Sequence, residues 1–417
     1  MKSDLYTKSF ILMGFANFFT VSSFGCFFLF PLFISVHGGS KADIGIIMGV
    51  FAFSSVVCRP WVSEMIDKIG RRNSYAAGCM SMTIVSISYL FCKGPLSGFY
   101  FFLIILRLIH GIGLAICFTA TFTYIADIIP QQRLNEGLGM FGMTGLVGLA
   151  AGPAIGELAI NRFGFPYFFV TATVFALTGL LLQMFIHESY TPAQNIIQAI
   201  QNTSPALVSA DNGNFHSDPK EPVSFFGILK QREMMSIAVL SISFGFAMAA
   251  TGNFVAPFAK EKGIGFVSIY YITYSLSATI TRFFGGKLAD GIGERIIIPY
   301  ASIITGAGLG MLVFLGNNLI LVISGILSGC GHGLLFPCMN SLAIRDKPAH
   351  IRGKVTGVFT GAIDAGAFIG SIALGYTGEF AGYRAIFFIS MIVMFAGLVV
   401  FFRIKSSDKQ PISPEQG

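Results

Sequence analysis

Four titratable side chains, Arg107, His110, His332 and Asp364, sit where such groups are costly, inside long apolar stretches of a 417-residue chain. Asp364 lies about eleven residues into its stretch, roughly 17 Å from the start and close to mid-bilayer depth. Hydrocarbon works against its charge, so it is a candidate to take up and give off a proton, unless a structural partner holds it ionised. Arg107 lies about eight residues, roughly 12 Å, from the nearer boundary, and His110 shares its helix face. A charge at that depth faces a cavity or a partner, or else snorkels or bonds a carbonyl. His332, among Cys330, Gly331 and Gly333, fits either a working titratable group or a satisfied packing residue.

Spanning helices must position these groups, because lipid cannot satisfy a free backbone N–H or C=O and about 20 apolar residues are needed to cross ~30 Å of hydrocarbon. Twelve such segments are expected near 9–35, 43–65, 74–92, 98–127, 137–158, 165–186, 233–259, 266–288, 296–315, 318–343, 353–376 and 384–403. With 54% hydrophobic and 11% charged residues and a mean hydropathy of +0.73, a soluble globular chain is excluded. The first segment has 25 uninterrupted apolar residues from Phe10 to Ile34 and no small-residue cleavage site after it, so it is expected to stay in the mature protein. With both termini cytoplasmic, eighteen lysines and arginines fall on the inner side and six on the outer, as the positive-inside rule requires. The net charge of +7 then needs no nucleic acid to explain it, since inner basic residues beside anionic lipid account for it.

Residues 189–222 change composition to Pro, Asp, Asn, Ser and Thr, and are expected to form a cytoplasmic linker, with one short interfacial helix near 196–200. They divide the chain into 1–188 and 223–417. The two parts repeat each other. Arg59, Asp67 and Gly70 recur 223 positions later as Arg282, Asp290 and Gly293, and Gly111, Gly113 and Pro130 recur 218 positions later as Gly329, Gly331 and Pro348. Seven cysteines, scattered singly, have neither disulfide nor zinc spacing and read as packing residues.

The stretch from Arg59 to Arg72 resembles the major facilitator signature Gly-x-Leu-Ala-Asp-Arg-x-Gly-Arg-Arg, with Ser63, Met65 and Ile66 replacing its Gly, Leu and Ala. A second copy, Gly286 to Arg295, keeps Gly-x-Leu-Ala-Asp but has Glu294 where an arginine belongs. The resemblance implies an all-α membrane protein of 12 transmembrane helices in two pseudo-symmetric six-helix bundles, the substrate site lying between them. It also implies a conformational latch of Asp67, Arg71 and Asp127, with Asp290 in the second copy. Leu103 to Ala115 resembles the superfamily's fourth-helix motif, which implies a part in proton coupling for Arg107. Gly148, Gly152, Pro153 and Gly156 resemble the antiporter signature Gly-x-x-x-Gly-Pro-x-x-Gly, and on general grounds serve close helix packing. Glu157 follows, as a partly buried carboxylate or an outer-rim charge, and is a further proton candidate.

The first and seventh segments are expected to line the cavity through Asn17, Thr20, Phe24 and Phe28, and through Ser243, Thr251, Asn253 and Phe254. Aromatic surface with a few amides and hydroxyls suits an amphipathic or aromatic solute. The leading expectation is therefore proton-coupled export of such a compound, with a sugar or metabolite uptake symporter and a lipid or lysolipid transporter as alternatives. No nucleophile elbow, phosphate loop or histidine-rich cluster suggests an enzyme, a cofactor or a metal. The expected partners are a small-molecule substrate, a proton and membrane lipid, with the protein acting as a monomer. A cavity holding only Asp364 and Arg107 would fit proton coupling, whereas several uncompensated basic groups would point to an organic anion.

Overall fold

The computed structural model describes residues 5–130, 133–188, 225–345, 347 and 349–406, except the side chains of 134–135, 225–226, 286–291, 349–354 and 405–406. The expected linker, 189–222, and its interfacial helix lie outside the described residues. The helices are α1 (Lys8–Cys26), α2 (Phe30–Val36), α3 (Lys41–Ile69), α4 (Arg71–Ser88), α5 (Leu96–Ile128), α6 (Leu134–Phe163), α7 (Phe165–Gln183), α8 (Phe225–Leu229), α9 (Arg232–Glu261), α10 (Ile269–Ile292), α11 (Glu294–Val313), α12 (Asn318–Ile344) and α13 (Ala349–Ser406). Among the described residues there is no strand.

Ten helices are long and apolar enough to cross a membrane by length and composition. The 24-residue α10 adds another crossing. A twelfth follows because α13 is broken at Gly382, whose φ of 78° takes it out of helical geometry. α1 and α2 form one crossing of 29 residues, interrupted by a 3-10 turn at Phe27–Leu29. Pro31 explains that break, since its ring has no N–H to bond and crowds the carbonyl of Phe27. Large apolar side chains stand outward along the crossings, Phe101, Phe185 and Phe284 among them, as expected where the solvent is lipid.

α1 packs on α6 and α7, and α5 on α3 and α4, making a first bundle. α9 packs on α13, and α12 on α10 and α11, making a second. The repeat seen in the sequence is a repeat of contacts. A Cβ on Gly111 would fall on the carbonyl of Phe51 and the hydroxyl of Ser54, and one on Gly329 would fall on the same groups of Tyr274 and Ser277, 223 positions later. Gly70 and Gly293, also 223 apart, both have positive φ, at 89° and 95°, where each turns one helix into the next.

Two helix pairs make the main joints between the bundles, α3 with α13 and α6 with α10, with a smaller contact of α2 on α9. The joint is tightest at the end where α3 begins. There a Cβ on Gly375 would stand 2.8 Å from the Cα of Gly45, the backbone N–H of Lys41 donates to Glu379 Oε2 at 3.0 Å, and Phe28 stacks on Tyr271 with centroids 5.1 Å apart. Towards the Gly70 end the Asp67 side chain, by contrast, is 66% exposed.

A side chain larger than hydrogen at Gly45 or Gly375 must force α3 from α13. Overpacking of this kind costs about 1–3 kcal/mol, which disfavours closure roughly 5- to 150-fold. In a cysteine-less background, labelling of Thr251→Cys by an impermeant maleimide added at the Lys41 end should therefore accelerate at least severalfold with Gly45→Val or Gly375→Val. An unchanged rate would mean that this contact does not hold the end closed.

Candidate functional site

Asp364 has a structural partner, the second of the two settings that the sequence leaves open for it. It bridges the bundles, accepting from Arg59 Nε at 3.1 Å, from Arg59 Nη2, and from Ser55 Oγ at 3.3 Å, while Arg59 Nη1 donates to Thr360 Oγ1 at 3.0 Å. Arg59 lies well inside α3, where opposite charge is the cheapest way to accommodate a carboxylate. Both side chains keep partial exposure, 30% and 27%, so the pair borders accessible space. Sequence reading used Arg59 only as a repeat marker. Its depth, similar to that of Asp364, was the available signal.

Glu157 takes neither of the two positions expected for it. It is 1% exposed, and its two oxygens accept the backbone N–H groups of Val267 and Ser268 at 2.8 and 2.7 Å, just ahead of α10 in the other bundle. Lys260 Nζ stands 3.5 Å away, and Ser268 Oγ donates to the carbonyl of Pro153 at 2.9 Å. A carboxylate at the unsatisfied N–H groups of a helix start binds both the free donors and the positive end of the dipole. Glu157 is thus built in as a clamp. The preceding glycines face the other way, Gly148 and Gly152 onto α1 and Gly156 onto α7. A Cβ on Gly148 would meet the carbonyl of Phe18 at 2.7 Å, one on Gly152 the carbonyl of Ser22, and one on Gly156 the ring of Phe168 at 3.3 Å. Pro153 Cδ lies 3.2 Å from the Cβ position of Gly25.

Arg107 is 1% exposed and meets no carboxylate. Its guanidinium lies 4.6, 5.0 and 5.8 Å from the ring centroids of Phe51, Phe30 and Phe27, with Nη2 at 3.0 Å from Met48 Sδ and Nε in a long 3.5 Å contact with the carbonyl of Ile47. Ring faces can hold a cation in this way. His110 shares that box. Its ring sits 4.4 Å from Phe27 and its Nδ1 3.4 Å from the hydroxyl of Tyr89. His332 is held in the second bundle by a short hydrogen bond with Tyr274 and by the rings of Phe244 and Phe336.

The expected cavity lining divides. Phe24, Phe28 and Thr251 are half-buried near the division between the bundles, with Phe28 on Tyr271 and Phe24 stacked on Phe51. Others turn into their own bundle. Thr20 bonds Tyr75 at 2.7 Å, Asn17 bonds Thr144 at 2.9 Å, Asn253 bonds Ser371 at 2.8 Å, Ser243 lies against Gly397, and Phe254 is fully buried. Helices that are apolar on every face carry no periodic signal for which face meets the cavity.

At the Gly70 end Arg71 pairs with Asp67 at 3.2 Å and with Asp127 at 3.0 Å, as the signature implies. Glu188, which sequence reading missed, accepts the backbone N–H groups of Arg71 and Arg72 at 3.1 and 3.0 Å and so caps α4. The side chain of Asp290 lies outside the described residues. Glu294, the departure in the second copy, has a reason. It stands 223 positions after Arg71, is 3% exposed, and pairs with Arg345, which stands 218 positions after Asp127. Arginine with aspartate in one bundle has become glutamate with arginine in the other. Ser341 Oγ completes the site, donating to Glu294 at 2.7 Å.

The model of the Major Facilitator Superfamily matches residues 10–368 and 265–417. The chain is 25% identical over 385 residues to the uncharacterized MFS-type transporter MJ1560 of Methanocaldococcus jannaschii, covering 90% of this chain and 93% of that protein. It is 24% identical over 405 residues to multidrug resistance protein MdtG of Salmonella dublin, covering 93% and 94%. Among solved structures, nucleoside transporter NupG superposes with a TM-score of 0.69 at 15% identity over 97% of this chain and 100% of that one. Peptide transporter POT in complex with sulfate gives 0.70 at 16% identity over 96% and 95%. At such identities these two likenesses concern the fold.

The reversed ion pair is testable by exchange. Arg345→Gln should lower thermal stability by about 1–3 kcal/mol, since it leaves the buried Glu294 without its cation, and Glu294→Gln should cost less, since Arg345 is half-exposed. Glu294→Arg combined with Arg345→Asp, the arrangement of the first bundle, should recover most of that loss in melts of the purified protein. Strictly additive losses would show that the pair is not coupled.

Proposed function

The chain belongs to the major facilitator superfamily, and from that premise we propose that it is a proton-coupled antiporter exporting a small amphipathic or aromatic organic compound by alternating access. Relatives named multidrug resistance protein MdtG, similar over nearly the whole chain, support efflux. The Gly-Pro signature of α6 supports antiport over uptake. Both termini are read as cytoplasmic, in a bacterial cytoplasmic membrane, on the strength of the lysine and arginine distribution. On that orientation the closed Lys41 end faces outward and the conformation is inward-facing. Residues 1–188 and 223–417 then rock as two bodies joined by 189–222, and Asp67, Arg71 and Asp127 latch the opposite state.

The observation that carries the coupling is the Arg59–Asp364 pair, an ion pair between bundles with access to the central space. An ionised Asp364 ties α13 to α3. A proton on Asp364 removes the charge that holds Arg59, so α3 and α13 are freed to separate and the state of the transporter follows the state of one carboxyl. Glu157, Arg107, His110 and His332 are all buried, whereas Asp364 keeps partial exposure, which makes it the candidate best placed to exchange a proton with the central space.

Asp364→Asn keeps the volume and removes the titrating group. In proteoliposomes it should lose pH-driven accumulation by about tenfold or more while substrate exchange without a gradient persists. Arg59→Gln should also uncouple, because the carboxylate loses its cation. Full pH-driven accumulation by Asp364→Asn would move the proton elsewhere.

A further inference from the structure

Among the described residues Arg282, at the division between the bundles, is a cation with no acidic partner. Its Nε is buried with no hydrogen-bond partner, its guanidinium lies 5.8 Å from the ring centroid of Phe336, and Nη1 comes 3.0 Å from where a Cβ on Gly142 would stand. The internal repeat identifies what is missing. Arg282 stands 223 positions after Arg59. Helix α6 recurs in α13 at an offset of 218, which carries Pro153 and Glu157, the neighbours of Ser268, onto Ser371 and Gly375, the neighbours of Gly45. By these offsets Thr360 and Asp364, the partners of Arg59, correspond to Gly142 and Leu146, and Ser55 corresponds to Ala278. Every side chain that accepts from the first arginine or steadies its partner is replaced by one that cannot accept a hydrogen bond. The arginine itself is kept.

A guanidinium cannot shed its charge to escape such a setting. Nor do the other interior carboxylates neutralise it, since Asp364 is engaged by Arg59 and Glu157 by backbone amides. Arg107 is a second interior cation with no carboxylate beside it among the described residues, but it is shut in its box of rings, so the uncompensated charge at the division between the bundles is that of Arg282. Beside Arg282 lie a ring face, Phe336, and the hydrogen-bonded pair of Tyr274 and His332, which packs on that same ring. Resting on the transport reading above, we propose that Arg282 holds the acidic group of the transported compound, so that the substrates are organic anions carrying a carboxylate, phosphonate or phosphate on an apolar or aromatic body. The guanidinium fork receives two acidic oxygens and Phe336 receives the apolar body.

The test uses full-length protein in phosphatidylcholine nanodiscs, titrated calorimetrically with naphthylacetate and with its uncharged amide, naphthylacetamide. The acid should bind about tenfold tighter or more, Arg282→Gln should abolish that preference while leaving the amide unchanged, and Arg282→Lys should retain part of it. A second arm needs no ligand. Leu146→Asp restores the carboxylate at the repeat-equivalent position, so it should raise the melting temperature above that of Leu146→Asn and weaken binding of the acid. A third arm adds phosphatidylglycerol to the discs, and competition with the acid would make a lipid headgroup the occupant and overturn the proposal. Equal affinity for acid and amide, a preference surviving Arg282→Gln, or a Leu146→Asp variant no more stable than Leu146→Asn would each overturn it as well. If proteoliposomes move no compound of any charge while Leu146→Asp stabilises as expected, the transport reading fails and the unpaired arginine stands.

Discussion

A carboxylate buried in hydrocarbon must find its donors inside the protein, and Glu157 and Asp364 find theirs across the division between the two bundles, as does Glu379, which stays exposed at the Lys41 end. Removing an ion from water costs several kcal/mol even after relaxation, so the fully buried Glu157 is stable only while its donors stay in place. Two of the three act on helix starts. Glu379 accepts from the first residue of α3, and Glu157 from the two residues ahead of α10, each interaction contributing up to about 2 kcal/mol where partly buried. Parting the glycine contact between α3 and α13 at the Lys41 end would therefore require water to reach Glu157. Asp364 differs, because its partner is a side chain rather than a helix end.

Much of this was legible in the sequence for a plain physical reason. Lipid admits few alternatives to the helix, so the twelve segments and the repeat could be read from apolar length and spacing alone. Helices run a few residues past the apolar edges, as α3 and α6 do, because their last turns carry polar side chains at the interface. The 3-10 break before Pro31 was readable in principle from the proline's clash with the carbonyl four residues back. Partnership was harder. Nothing local joins Asp364 to a residue 305 positions away, and whether Glu157 is buried depends on how α10 starts in the other bundle. The exchange of Arg71 and Asp127 for Glu294 and Arg345 was present in the two offsets, yet a motif compared position by position records only a mismatch.

The two bundles share a scaffold and differ in charge. Glycines 111 and 329 admit equivalent neighbours, and glycines 70 and 293 turn equivalent corners. On that common frame the first bundle places Arg107 and His110 in a box of phenylalanines and offers Arg59 to a carboxylate, while the second keeps Arg282 without one. Symmetry supplies two bodies that can rock. The charges do not follow that symmetry, with an ion pair on the α3–α13 side and, among the described residues, an unpaired cation on the α6–α10 side.

The central claim is that the protonation state of Asp364 sets the conformation. It is tested most directly by double electron–electron resonance between spin labels at the exposed positions Asn73 and Ile296, at the Gly70 end, with the seven native cysteines replaced. On lowering the pH, the wild-type distance distribution should pass from one population to another, and Asp364→Asn should be fixed in the low-pH population at every pH. A variant that still exchanges with pH as the wild type does would contradict the account.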